Sequence, residues 1–253
     1  MASNIGIALL LTTFAGLSTV IGSFLGILLP KPSGRFMSVT LGFSAGVMIL
    51  VSFVELLQKG MESIGFAPAH VAFFAGMLAM FLVDALIPHE YMGEHAEGGG
   101  KERSLLKTGL FVALGVGIHN FPEGMATFAG TLQDIHLGTA IAVAIAIHNI
   151  PEGIAVSAPI YAATGERRRA FLWSFLSGVA EPLGAALAAL VLFPFLSEAI
   201  LGVMLSAVAG IMTFISLDEL VPVSRSFGEE HASIVGVILG MAVMAGSLWL
   251  LRR

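Results

Sequence analysis

Apolar residues in this chain form long continuous stretches, separated by short segments that contain proline, glycine or charged residues. A stretch of about 20 apolar residues matches the hydrocarbon thickness of a bilayer. Because the stretches do not alternate between apolar and polar positions, they predict helices rather than strands. We predict one transmembrane domain over 1–253, with a short loop at 89–105 and eight helices near 5–29, 38–58, 68–88, 106–130, 137–161, 170–193, 198–222 and 232–251.

The composition supports a membrane location. The chain is 57% hydrophobic and 11% charged, whereas a soluble domain carries about 25% charged residues. There are no cysteines, which excludes disulfides and thiolate metal sites. The net charge of -5 and the lack of a long basic run give no indication of a nucleic-acid partner.

The distribution of lysine and arginine predicts the orientation. Cytoplasmic loops of membrane proteins are enriched in these residues. If the N-terminus is extracytoplasmic, nine of the 12 basic residues lie on the cytoplasmic side. We therefore predict a multi-pass protein of the cytoplasmic (inner) membrane with both termini extracytoplasmic. The nine residues are Lys31, Arg35, Lys101, Arg103, Lys107, Arg167, Arg168, Arg169 and Arg225.

Two internal repeats are visible. The sequence HNFPEG at 119–124 returns as HNIPEG at 148–153, and a weaker similarity relates 45–56 to 209–220 at an offset of 164 residues. In the predicted orientation the repeated helices run in opposite directions. Transporters built from inverted repeats hold their substrate near the membrane midplane. For the weaker repeat, chance similarity between Ala/Gly-rich helices is an equal alternative.

The repeated motif combines several metal-binding groups. His119 and Glu123 are four residues apart and lie on one face of a helix, with Asn120 beside them. Pro122 frees a backbone carbonyl one turn earlier, and Gly124 allows a neighbouring helix to approach. The second copy repeats this arrangement with His148, Asn149, Pro151, Glu152 and Gly153.

Both copies lie near mid-membrane, where one carboxylate costs at least ~2.5–3.5 kcal/mol. Two facing carboxylates would cost more without a cation between them. Imidazole and carboxylate groups suit Zn²⁺ and similar first-row ions. The asparagines and freed carbonyls would support a second, adjoining site, with Glu123 and Glu152 bridging the two metals.

Further acidic and histidine residues are candidates for the same chemistry. Glu181, next to Pro182 in helix 6, is expected at the site because it is a carboxylate deep in the membrane. The others could form an accessory metal path or be water-exposed residues at helix ends and in a flexible linker. These accessory candidates are Ser52, Glu55, Asp84, His89, His95, Asp218 and Glu219.

These motifs resemble the ZIP (Zrt-, Irt-like protein) family of divalent metal transporters, and within it the bacterial ZupT branch. The resemblance covers nearly the whole chain, including GFSAGVM before Glu55, residues 159–165, the segment around Glu181, and AGIM before Asp218 and Glu219. It implies a 3+2+3 inverted repeat of eight helices, extracytoplasmic termini, and a two-metal site between helices 4 and 5.

The resemblance also implies the ligands and the cargo. One metal position would use Glu123, His148 and Glu152, with His119 adjoining, and the second would use Asn120, Glu123, Asn149, Glu152 and Glu181. Zinc would be imported, together with iron, manganese, cobalt and cadmium. Many eukaryotic members carry Glu where this chain has Asn149, so the second position should bind metal less tightly.

We therefore expect a transporter that works by alternating access, in which the rest of the bundle moves relative to helices 4 and 5. Divalent ions and the lipid bilayer are its partners, no organic cofactor is expected, and a homodimer is left open. A selective channel could use the same ligands. An intramembrane metallohydrolase would need HExxH, but here Asn occupies the position of the catalytic Glu. The preferred metal and the energy source stay open.

Overall fold

The computed structural model describes residues 4–28, 33–86, 101–192, 195 and 197–251, which form eight helices and, within these ranges, no strand. Each described helix except α4 is long and apolar enough to cross a membrane. The predicted all-helical membrane fold is therefore confirmed. The helices are α1 (Ile5–Leu28), α2 (Gly34–Ile64), α3 (Phe66–Ala85), α4 (Lys101–Gln133), α5 (Ile135–Thr164), α6 (Arg167–Val191), α7 (Glu198–Ser226) and α8 (Glu230–Leu251).

Several helices are longer than the sequence pattern predicted. Helix α4 begins at Lys101 rather than near residue 106, so the predicted loop 89–105 is too long. Helix α2 spans Gly34–Ile64 rather than 38–58. The apolar stretch marks only the part of a helix inside hydrocarbon. Lysine, glutamate and arginine are good helix formers, and they continue the helix beyond that part.

The helices place polar side chains inside the bundle and large apolar side chains outside. Thr12 and Ser23 of α1 are fully buried, whereas Phe14 on the same helix is 68% exposed. Leu190 of α6 is 80% exposed. Such a surface suits lipid, while small and polar residues at helix contacts allow close packing and hydrogen bonding between helices.

Glycines bring α1, α4, α5 and α6 into close backbone contact. A Cβ atom at Gly16 of α1 would lie 2.7 Å from the carbonyl oxygen of Gly178 of α6, and the reverse contact has the same distance. A Cβ at Gly22 would lie 2.9 Å from the Cα of Gly153 in α5. We call these four helices, which contain both copies of the motif, the motif group.

Helices α2, α3, α7 and α8 form a second tightly packed set, which we call the flanking group. Gly46 of α2 meets the backbone of Val237 in α8, and Gly210 of α7 meets the backbone of Phe73 in α3. Among the described glycines, none makes such a backbone contact between the two groups. The bundle is thus two closely packed units with a looser boundary.

The glycine contacts also show that the weaker repeat is structural. Gly210 lies 164 residues after Gly46, and Phe73 lies 164 residues before Val237. Gly46 contacts Val237, and Gly210 contacts Phe73 in the same way. The contact of Gly76 with Ala207 maps in the same way onto that of Gly240 with Phe43. Chance similarity does not reproduce exchanged contacts of this kind, so the two halves are related by an inverted repeat.

Candidate metal site

Helices α4 and α5 bring the two copies of the motif together in reciprocal pairs. His119 Nε2 lies 3.0 Å from Glu152 Oε2, and His148 Nε2 lies 3.2 Å from Glu123 Oε2. All four side chains are at most 1% exposed. Each histidine therefore contacts the carboxylate of the other copy, and not the one four residues along its own helix.

The two asparagines hold α4 and α5 to their neighbours. The Nδ2 group of Asn120 donates to the carbonyl oxygen of Ser177 in α6 at 3.1 Å. The Nδ2 group of Asn149 donates to the carbonyl oxygen of Ala15 in α1 at 3.1 Å and also to Oε1 of Glu181. Glu181 is fully buried and thus belongs to the same cluster, although it lies outside both motifs.

The glycines of the motif are what allow this approach. A Cβ at Gly124 would collide with the carbonyl oxygen of Glu181, and one at Gly153 would collide with that of Thr19. The expectation that Gly124 admits a neighbouring helix is confirmed. Both α4 and α5 continue as helices through their motif prolines, Pro122 and Pro151.

Several buried polar atoms at this cluster have no hydrogen-bond partner, and such atoms are rare in folded proteins. They are nitrogen and oxygen atoms, which are the types of atom that bind zinc and other first-row metal ions. In the described part of the chain, no three His or acidic side chains surround one point. The atoms are Asn120 Oδ1, Asn149 Oδ1, Glu123 Oε1, Glu181 Oε2, His119 Nδ1 and His148 Nδ1.

Two further polar residues, Ser44 and Thr19, belong to neither copy of the motif. Ser44 of α2 donates its hydroxyl to Glu152 Oε1 at 2.9 Å. The carbonyl oxygen of Thr19 in α1 contacts Gly153, just as that of Glu181 contacts Gly124, so the two residues are equivalent in the repeat. The buried hydroxyl of Thr19 has no hydrogen-bond partner. Ser44 lies within GFSAGVM, but only the packing of α2 on α5 reveals its contact.

The acidic candidate Glu219 lies beside the central cluster. Its Oε2 is 3.0 Å from where a Cβ would stand on Gly115, one turn before His119. It lies within electrostatic range of His119, Asp84 and Asp218. Asp84 lies at the end of α3, so these acids extend from the cluster toward that end of the bundle.

Glu55 lies toward the opposite end of the bundle. Helices α2 and α7 run antiparallel, since Ser38 donates to the carbonyl oxygen of Ser224 and Ser63 donates to that of Glu198. Glu55 is 5% exposed and lies in a π-helical turn that begins at Ser52.

Glu219 lies in the equivalent π-helical turn of α7, Ser216–Leu220. Such turns are frequent at functional sites. The other two accessory candidates, His89 and His95, lie outside the described residues.

Comparison with known proteins gives a family match over more than half of the chain and relatives that align with nearly all of it. The family described as "ZIP Zinc transporter" matches residues 88–247. A protein named "Zinc transporter ZupT" from Oceanobacillus iheyensis is 50% identical, over 98% of this chain and 99% of the relative. Proteins of the same name from Clostridium perfringens and Chlorobium phaeovibrioides are 46% and 51% identical, covering 98% and 96% of this chain and 97% of each relative.

Proposed function

Because this chain belongs to the ZIP family of zinc transporters, we propose that it imports Zn²⁺ across the cytoplasmic membrane. Its relatives are named as transporters and not as enzymes. The observation that carries the proposal is the buried cluster of reciprocal His–Glu pairs, surrounded by oxygen and nitrogen atoms without partners.

Two adjoining metal positions account for the donor atoms. The first uses Glu123, His148 and Glu152, with His119 adjoining. The second uses the free oxygens of Asn120, Asn149 and Glu181, and shares the two bridging carboxylates. A cation offsets the cost of carboxylates buried in the membrane. Mixed nitrogen and neutral-oxygen donors discriminate weakly among first-row divalent ions, so Fe²⁺, Mn²⁺ and Co²⁺ are proposed as further cargo. Cd²⁺, a second-row ion with the same charge as Zn²⁺, is proposed with them.

The acidic residues at the two ends of the bundle suggest the route. With extracytoplasmic termini, Glu55 lies on the entrance side of the cluster, and Glu219, Asp84 and Asp218 lie on the cytoplasmic side. A hydrated cation would meet carboxylates before and after the central cluster. The positive-inside distribution of lysine and arginine supports this direction.

Alternating access is the proposed mechanism, with the motif group moving against the flanking group. We expected α4 and α5 alone to be the unit relative to which the bundle moves. The close packing of Gly16 on Gly178 and of Gly22 on Gly153 ties α1 and α6 to them, so four helices would move together. Protons compete with metal for the same histidine and carboxylate ligands, so uptake should depend on pH.

Replacement of Glu152 tests the site. Loss of even outer-shell groups weakens metal sites by roughly 10–100-fold, so we expect Glu152→Ala to lower Zn²⁺ uptake into proteoliposomes by at least about tenfold. Glu166→Ala removes an exposed carboxylate that makes no capping bond and should transport normally. Wild-type uptake by Glu152→Ala would show that the site is wrongly assigned.

The same proteoliposomes test the cargo and the mechanism. Uptake of Zn²⁺, Fe²⁺, Mn²⁺, Co²⁺ and Cd²⁺ is compared with and without a pH gradient. A carrier saturates as the metal concentration rises, because each ion requires one conformational cycle. Uptake that does not saturate would instead support a channel.

A further inference from the structure

The hydrogen bond from Ser44 to Glu152 crosses the boundary between the two helix groups. Ser44 is fully buried on α2, in the flanking group, and its hydroxyl lies 2.9 Å from Glu152 Oε1 on α5, in the motif group. The same hydroxyl is 3.5 Å from the carbonyl oxygen of His148. The Asn120 and Asn149 bonds to α6 and α1, by contrast, stay within the motif group.

This bond makes the two bridging carboxylates unequal. The residue equivalent to Ser44 in the other half of the repeat is Val208, 164 residues later. Its side chain has no hydrogen-bond donor. Glu123 Oε1 accordingly has no hydrogen-bond partner. Both oxygens of Glu152 have partners, Oε1 with Ser44 and Oε2 with His119. A metal can bind Glu123 Oε1 without competition, whereas at Glu152 it must share each carboxylate oxygen with an existing partner or replace that partner.

We propose that Ser44 is a latch between the two helix groups, which a metal ion releases when it takes Glu152 as a ligand. The latch rests on the proposed function and deepens it. With Glu152 held by Ser44, a polar bond joins α5 to α2 across the boundary along which the groups would move. A metal that draws the Glu152 carboxylate toward the cluster moves Oε1 out of hydrogen-bond reach of Ser44, and loading of the site is thereby coupled to release of the motif group.

Ser44 is a positioning residue, because it acts through Glu152, and its removal should change affinity in a specific direction. In Ser44→Ala, zinc no longer competes with the hydroxyl for Glu152 Oε1. A net hydrogen-bond contribution corresponds to roughly a three- to tenfold change in binding. We expect the KM for Zn²⁺ uptake and the Kd of the purified full-length protein to fall by that factor, with no fall in Vmax.

Three further variants separate the latch from a packing effect. Ser44→Thr keeps the hydroxyl and should keep the wild-type KM. Ser44→Gly removes the hydroxyl and should lower KM as Ser44→Ala does, which gives a second test if the alanine variant folds poorly. Ser38→Ala removes an equally buried bond of 2.7 Å, from α2 to the Ser224 carbonyl in α7, and should leave KM unchanged because both helices belong to the flanking group.

The experiment measures Zn²⁺ uptake in proteoliposomes and Zn²⁺ binding by titration calorimetry for all five proteins. A KM and Kd for Ser44→Ala that equal those of Ser38→Ala, or exceed those of the wild type, would overturn the latch. Failure of the proposed function looks different, because the wild-type protein itself would then show no saturable zinc uptake.

Discussion

The side chains of Asn120 and Asn149 have two roles at the centre of the bundle. Their amide nitrogens join helices, while their amide oxygens stay buried without partners. A carboxylate could not do both, because it has no donor when ionised. The choice of Asn over Asp at both positions therefore follows from packing as well as from metal chemistry.

An Asn149→Asp substitution tests this double use. The introduced carboxylate would face the Ala15 carbonyl and the Glu181 carboxyl group, to both of which the native amide donates. An unsatisfied buried group costs about 1–3 kcal/mol, so we expect the thermal unfolding temperature in detergent with chelator to fall. Added Zn²⁺ should restore it more than it stabilises the wild type.

The matched control is Asn120→Asp, which loses only the bond to the Ser177 carbonyl and should be less destabilised. Equal unfolding temperatures for Asn149→Asp and Asn120→Asp in chelator would contradict the contact between Asn149 and Glu181.

At the scale of helices, glycine decides which elements pack as one unit. The motif glycines admit the carbonyls of Glu181 and Thr19, and equivalent glycines join α2 to α8 and α3 to α7. In a membrane, where hydrophobicity does not drive helices together, such close approach is a main source of attraction. The motif therefore specifies a helix interface as well as a set of ligands.

Gly153→Ala tests that interface. The added methyl group would collide with the Thr19 carbonyl, and overpacking typically costs roughly 1–3 kcal/mol. We expect a lower unfolding temperature and reduced zinc uptake. Gly246→Ala in α8 is the matched control, because a Cβ there meets nothing within 4 Å. Its expected effect is neutral or stabilising by up to about 1 kcal/mol. Equal stability of the two variants would argue against the close contact between α5 and α1.

At the scale of the whole molecule, the inverted repeat makes the two halves of the bundle similar in fold but different in their polar side chains. Glu55 and Glu219 occupy equivalent turns at opposite ends. Ser44 and Glu181, however, have Val208 and Thr19 as their counterparts. An inverted repeat allows the two states of alternating access to have similar energies. The side chains that differ between the halves make these energies unequal.

The orientation can be measured directly, because the chain has no cysteine. We expect a membrane-impermeant maleimide to label Lys59→Cys in intact cells, since Lys59 is predicted to be extracytoplasmic. Arg168→Cys, at the exposed start of α6, should be labelled only after the membrane is permeabilised. The reverse result would show that the termini are cytoplasmic.

The sequence by itself determined the eight helices, the repeated motif and the donor types, because the length and polarity of a membrane helix are properties of a continuous segment. From the sequence alone, the weaker similarity between 45–56 and 209–220 could be a repeat or chance. The exchanged glycine contacts show that it is a repeat.

Only the tertiary structure decided that His119 pairs with Glu152 and that Ser44 donates to Glu152. It also decided that α1 and α6 pack with α4 and α5 as one unit. These features depend on which helices are neighbours and how closely their backbones approach, and residues far apart in the chain set both.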